Sequence, residues 1–229
     1  LTFAEQPVFS GNVQALKGSA LMILIGQYDS PFVRRVGIAL TLYGMAFEHR
    51  PWSSFADADR LRPYNPLTRV PTLVLEDGTV LIDSHIILDY LDGLVADDRV
   101  MFPRREPSRH RALKVATLAC GLGDKVVSLF YEKRLHENAS ALWVDRCRCQ
   151  IEATLAVLEA DRSDIASEFW FGERIGHADI AVAVVLRFLG EVHPELVAIS
   201  NYPALRAHAE RLEALAVFQA ISQPFIAPA

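Results

Sequence analysis

The sequence predicts an α/β domain followed by an all-α domain. Three observations carry this. Residues 21–92 read in the order β-α-β, loop, β-β-α. Gly93 to Pro107 is charged and proline-containing, as a linker is. Beyond it no strand signal follows, only stretches with helical patterning.

The first element, Leu21-Met-Ile-Leu-Ile-Gly26, is a short apolar run of the kind that forms a buried strand. Ser30-Pro31 then marks a helix start, with serine as N-cap and proline at the first helical position. Phe32, Val33, Val36, Ala39, Leu40 and Tyr43 keep helical period, and Gly44 stands where a left-handed C-cap belongs. A second strand around Phe47–Arg50 completes a unit that usually makes a right-handed parallel pair. Residues 51–69 are turn-rich, with Pro51, Pro63 and Asn65-Pro66. Val70–Leu75 reads as a strand, Glu76-Asp-Gly-Thr79 as a hairpin turn, and Val80-Leu-Ile82 as its antiparallel return. Asp83-Ser84 opens a helix carrying Ile86, Ile87, Tyr90 and Leu91.

Helices are expected at about 107–135, 140–160, 177–190 and 203–219. The expected organisation is an extension or cloning remnant at 1–20, an α/β domain at 21–95, a linker at 96–106 and an all-helical domain at 107–229. Met22 is read as the natural start, because regular patterning begins there.

Composition narrows the class of function. Apolar residues make up 51% and charged residues 22%, ordinary globular usage. A net charge of −5 argues against a general nucleic-acid binder. The best apolar run, Ile180 to Leu186, is broken by Arg187 and preceded by His177 and Asp179, so it reads as a buried helix rather than a membrane span. The histidines are scattered and no His-Glu-x-x-His or Cys-x-x-Cys occurs, so no metal is expected. The three cysteines are read as reduced thiols in the cytoplasm, none near a candidate site. Gly121-Leu-Gly123 lacks the third glycine of a dinucleotide fingerprint and reads as a close contact within a helix. Arg34-Arg35, and Arg104-Arg105 with Arg109 and Arg111, are read as solvated helix faces.

Three features together are informative: Ser30-Pro31 after the first strand, Val70-Pro71 opening the third, and Asp83-Ser84 opening a helix. In this order and spacing they resemble the glutathione transferase family. The stretch Tyr28-Asp-Ser-Pro-Phe-Val-Arg-Arg-Val36 is similar to its serine-type members, the plant tau class and related bacterial proteins. Asn65-Pro-Leu-Thr-Arg-Val-Pro-Thr-Leu73 and Asp83-Ser-His-Ile-Ile-Leu-Asp-Tyr-Leu91 fit the same family, and the resemblance covers residues 21–225.

The resemblance implies a thioredoxin-like first domain that holds glutathione, a homodimer, and conjugation of glutathione to a small apolar electrophile. A thiol is a poor nucleophile and must be a thiolate to react. A helix N-terminus and a hydroxyl donor both stabilise that anion, and Ser30 would supply both. Val70, before a cis Pro71, would pair its backbone with the cysteinyl backbone of glutathione as an added strand. Ser84 and the helix amides would hold the γ-glutamyl carboxylate, and Asp83 the ammonium. Arg69 is the candidate for the glycyl carboxylate, with Arg35 a weaker one. Phe32, Val127, Phe130 and Tyr131 are candidate walls for the electrophile.

The family tyrosine position falls near Gly26, so Tyr28 is read as a loop residue. The tau-class lysine is missing, with Ala56 or Asp57 near its place. Gly176-His-Ala-Asp179 resembles the family capping box, with glycine for the usual Ser or Thr. Two other readings stay open. One is a glutathione-dependent isomerase or dehalogenase, similar to zeta-class members. The other is a non-catalytic binding or regulatory protein on the same fold.

Overall fold

A computed structural model describes residues 21–194 and 201–227. The expected extension at 1–20 lies outside them. The described elements run β1 (Met22–Ile25), α1 (Pro31–Tyr43), β2 (Phe47–Arg50), α2 (Ala58–Leu61), β3 (Thr72–Val74), β4 (Val80–Ile82) and α3 (Ser84–Gly93), then α4 (Ser108–Leu135), α5 (Ala141–Ser163), α6 (His177–Val192), α7 (Pro203–Glu213) and α8 (Ala216–Ala220). The four strands lie in the order β2-β1-β3-β4, with β1 parallel to β2 and antiparallel to β3. This is the mixed sheet of a thioredoxin-like domain, followed by a helical domain.

β1 is apolar throughout because both its faces are covered. Leu24 joins the large core, which continues through α1 and α3 into the helical domain. Ile23 and Ile25 point the other way, into a small cluster with Leu61, Val74 and the rings of Trp52 and Tyr64. The short helix α2, which the turn-rich composition hid, exists to lay Leu61 on that face.

Local chemistry sets the ends of α1. Val33 N–H donates to Ser30 Oγ at 3.4 Å, Pro31 occupies the first helical position, and Gly44 closes the helix at φ 69°. The third strand is shorter than expected. It begins at Thr72, which leaves Val70 in the bend before it. The final expected helix is broken at Ala214-Leu215 into α7 and α8.

The two domains are joined by buried polar contacts as well as apolar ones. Asp92 at the end of α3 accepts from Tyr43 Oη, from Phe102 N–H at 3.0 Å, and is 3.0 Å from His177 Nε2 on α6. Arg34 and Arg35 are not solvated, contrary to the reading of their charge. α1 is buried on most of its circumference, and both arginines are inside. Gly123 of α4 does mark a close contact: a Cβ there would lie 3.3 Å from Phe32 and from Val185. Among the described residues no helix is long and apolar enough to cross a membrane, and no group of three or more His, Cys, Asp or Glu is placed to hold a metal ion.

Candidate active site

Two adjoining hollows lie along the junction of the domains. The smaller, about 140 Å³, is walled by Asn65, Arg69, Val70, Pro71, Asp83, Ser84, His85, Cys120 and Asp124 among others. The larger, about 880 Å³, takes in Ser30, the loop from Trp52 to Ala56, one side of α4, Phe188 and residues 225–227. Phe32, Arg69, Val70 and Asp124 belong to both.

Ser30 reaches the larger hollow as the cap of α1. Its oxygen accepts the Val33 amide, and its own proton has no partner among the described residues. Pro31 leaves the first turn without one amide, and the remaining amides face the same end. Tyr28 does not wall either hollow. Its ring stacks on His49 at 3.9 Å and presses on Gly37, and burial pushes its hydroxyl up to about 12.

Val70 is brought beside this turn by two devices. Asn65, buried, folds the loop on itself: its amide donates to Arg69 O at 2.8 Å and to Thr72 Oγ1, and its carbonyl accepts from Leu67 N–H. Gly26 makes room, since a Cβ there would sit 2.8 Å from Val70 Cβ, and its φ is +132°. The Val70–Pro71 bond is cis. Among the described residues neither the N–H nor the C=O of Val70 makes a hydrogen bond, so both stand ready for a ligand backbone.

At the start of α3 the cap is Asp83, whose Oδ1 accepts from His85 N–H at 2.8 Å. Ser84 is the first helical residue and is buried. Arg69 is 67% exposed and 3.7 Å from Asp124, a solvated pair of little strength across the mouth. Burial raises the Asp124 and Asp29 carboxyls above the usual range.

Of the four expected electrophile walls, Phe32, Val127 and Tyr131 line the larger hollow. Phe130 stands back from it, its ring edge-on to Tyr131 and to Phe225. Helical spacing explains the difference, because adjacent residues on α4 face directions about 100° apart. Sequence reasoning missed Phe55, Phe188 and Phe225. Phe55 sits in an aperiodic loop and meets Tyr131 at 5.3 Å only through the tertiary fold. Cys120 was set apart from any site, yet it walls the smaller hollow. Being distant in sequence from Asp83 and Ser84, it carried no local signal.

A mixed thioredoxin-like sheet joined to a helical domain, with a helix-capping serine and an unpaired backbone edge in the cleft between them, defines a two-domain thioredoxin-like protein. Comparison with known proteins agrees. Residues 24–99 match the glutathione S-transferase N-terminal domain, and residues 141–211 the C-terminal domain. The uncharacterized GST-like protein YibF of Escherichia coli strain K12 is 32% identical over 169 residues, 73% of this chain and 82% of that one. A glutathione S-transferase from Methylobacterium radiotolerans, solved with glutathione sulfonate, superposes with a TM-score of 0.81 at 30% identity, covering 92% of this chain and all of that one. A family member from Pseudomonas fluorescens Pf-5 with bound glutathione gives 0.78 at 33% identity, over 89% of this chain and 100% of that one. This chain belongs to the glutathione S-transferase family.

Proposed function

We propose that the protein is a serine-type glutathione transferase that joins the glutathione thiolate to a small apolar electrophile. One observation carries the reading: the Ser30 hydroxyl, whose proton has no partner among the described residues, lies at the N-terminus of α1 in the wall of the cleft that Val70 also borders. Glutathione lies along Val70 as an added strand, with its γ-glutamyl end on Asp83 and Ser84 and its glycyl end toward Arg69. Its sulfur then faces Ser30. The hydroxyl and the helix amides lower the thiol pKa. The thiolate attacks the electrophile held among Phe32, Val127 and Tyr131, a carbon–sulfur bond forms, and the leaving group departs with its electron pair.

We further propose a cytoplasmic homodimer. Free cysteines at 120, 147 and 149 fit a reducing compartment. Two-fold dimers are the commonest oligomers. Light scattering should give the mass of two chains; one chain at all concentrations would refute the dimer.

Two measurements test the activity. Elution from immobilised glutathione by free glutathione separates a glutathione binder from a fold-only regulator. A substrate panel then separates conjugation of an activated aryl halide from isomerisation and dehalogenation. Binding without conjugation of any member would overturn the transferase reading.

A further inference from the structure

The two neighbouring arginines of α1 are buried in different ways. Arg34 uses its whole guanidinium: it donates to Glu213 at 2.5 and 2.7 Å, to Ile221 O and to Phe218 O. Arg35, 1% exposed, meets no carboxylate and no carbonyl among the described residues. Its Nη1 reaches the Ser84 hydroxyl at 3.4 Å and the Cys120 sulfur, and its Nε and Nη2 have no partner among the described residues. A guanidinium keeps its charge in a protein, and burying it without an anion is unfavourable.

Both groups that Arg35 touches are walls of the smaller hollow. A hydroxyl has one proton and two lone pairs. With a lone pair of Ser84 turned to Arg35, the proton is left to point into the hollow. The hydroxyl, the first amides of α3 and the guanidinium behind them then favour an anion at one spot. Asp83 at the rim supplies the opposite charge. Acid-binding and ammonium-binding groups side by side match an α-amino-acid headgroup.

We propose that Arg35 is a positioning residue for glutathione: it orients Ser84 and supplies the missing positive charge for the α-carboxylate of the γ-glutamyl arm. The proposal rests on the glutathione reading above and adds a residue that never meets solvent.

The test is calorimetric titration of the full chain with two peptides, glutathione and 4-aminobutyryl-cysteinylglycine, which lacks only that carboxylate. Wild type should prefer glutathione. In Arg35→Met, glutathione should weaken about tenfold or more while the analogue shifts by less than about twofold, as loss of a charge-assisted contact requires. Arg35→Lys should fall between wild type and Arg35→Met for glutathione. If Arg35→Met does not fold, Arg35→Gln carries the same comparison. Equal weakening of both peptides would reduce Arg35 to a packing role and overturn the proposal. So would a wild type that binds both equally, which leaves the glutathione reading standing. A wild type that binds neither overturns both.

Discussion

At Ser30 one oxygen accepts the Val33 amide while its proton remains to donate. On the proposed reading the cap and the thiolate donor are the same hydroxyl, and a substitution removes both. Ser30→Ala removes a charge-assisted bond to the thiolate, worth about 1.5–3 kcal/mol. That is roughly one to two decades in thiolate population below the thiol pKa. Losing the donor raises the bound thiol pKa, so the deficit in conjugation should be largest near neutral pH and shrink as pH rises. Tyr28→Phe should leave the pH profile unchanged, because Tyr28 is stacked on His49 away from the cleft. The reverse pattern, a shifted profile for Tyr28→Phe alone, would reduce Ser30 to a helix cap. The places of Ser30, Val70, Asp83 and Ser84 beside the hollows were legible because caps and X-Pro bonds leave local traces in sequence. Arg35 and Cys120 were not. Their contacts depend on α1, α3 and α4 converging, and a charge on a helix gives no sign of which face is buried.

Among the elements, α6 shows how a missing side chain is compensated. Gly176 offers no capping oxygen, so Asp179 does the work alone: Oδ2 accepts from Gly176 N–H at 2.9 Å and Oδ1 from Trp170 N–H at 2.8 Å. Burial pushes the Asp179 carboxyl up to about 6, while neighbouring His208, 3.6 Å away, is pushed down to about 3 and stays neutral. The sign follows. Between about pH 4 and 6 the unfolded chain has already lost this proton and the folded chain still holds it, so this carboxyl's own share of stability falls as pH rises, against the opposite trend from neutral His208. The full change is on the order of 3 kcal/mol. The urea midpoint of Asp179→Asn should therefore gain on that of wild type as pH rises across that window; parallel slopes would mean the carboxyl ionises normally. Elements with periodic patterning, α1, α3 and α4 to α6, were legible from sequence. α2 and the break after Glu213 were not, because four residues cannot display a period and no glycine or proline marks the break.

For the molecule as a whole, the joint between domains is a buried carboxylate. Asp92 gathers Tyr43 from α1, Phe102 from the linker and His177 from α6. Asp92→Ala strands all three, and breaking such a buried set costs about 3–5 kcal/mol. Asp89→Ala, which removes a mostly exposed contact to Arg109 at 3.5 Å, should cost less than about 1 kcal/mol. Chemical denaturation of both variants checks the contrast, and equal losses would refute the assignment of Asp92 as the joint. The two-domain order was legible from the linker composition. The joint was not, since Tyr43, Asp92 and His177 are far apart in the chain.

The shared wall of the two hollows bears on turnover. Phe32, Arg69, Val70 and Asp124 border both spaces, so a peptide in one hollow and an apolar group in the other would lie against the same four side chains. A molecule that carries both groups on one sulfur gives up its freedom of motion once and gains both sets of contacts. On the proposed reading the conjugate is such a molecule. An S-aryl glutathione should therefore inhibit in competition with glutathione, with an inhibition constant below the dissociation constant of glutathione itself. Under saturating substrates, departure of the finished product then becomes the slow event, and added viscogen should lower kcat.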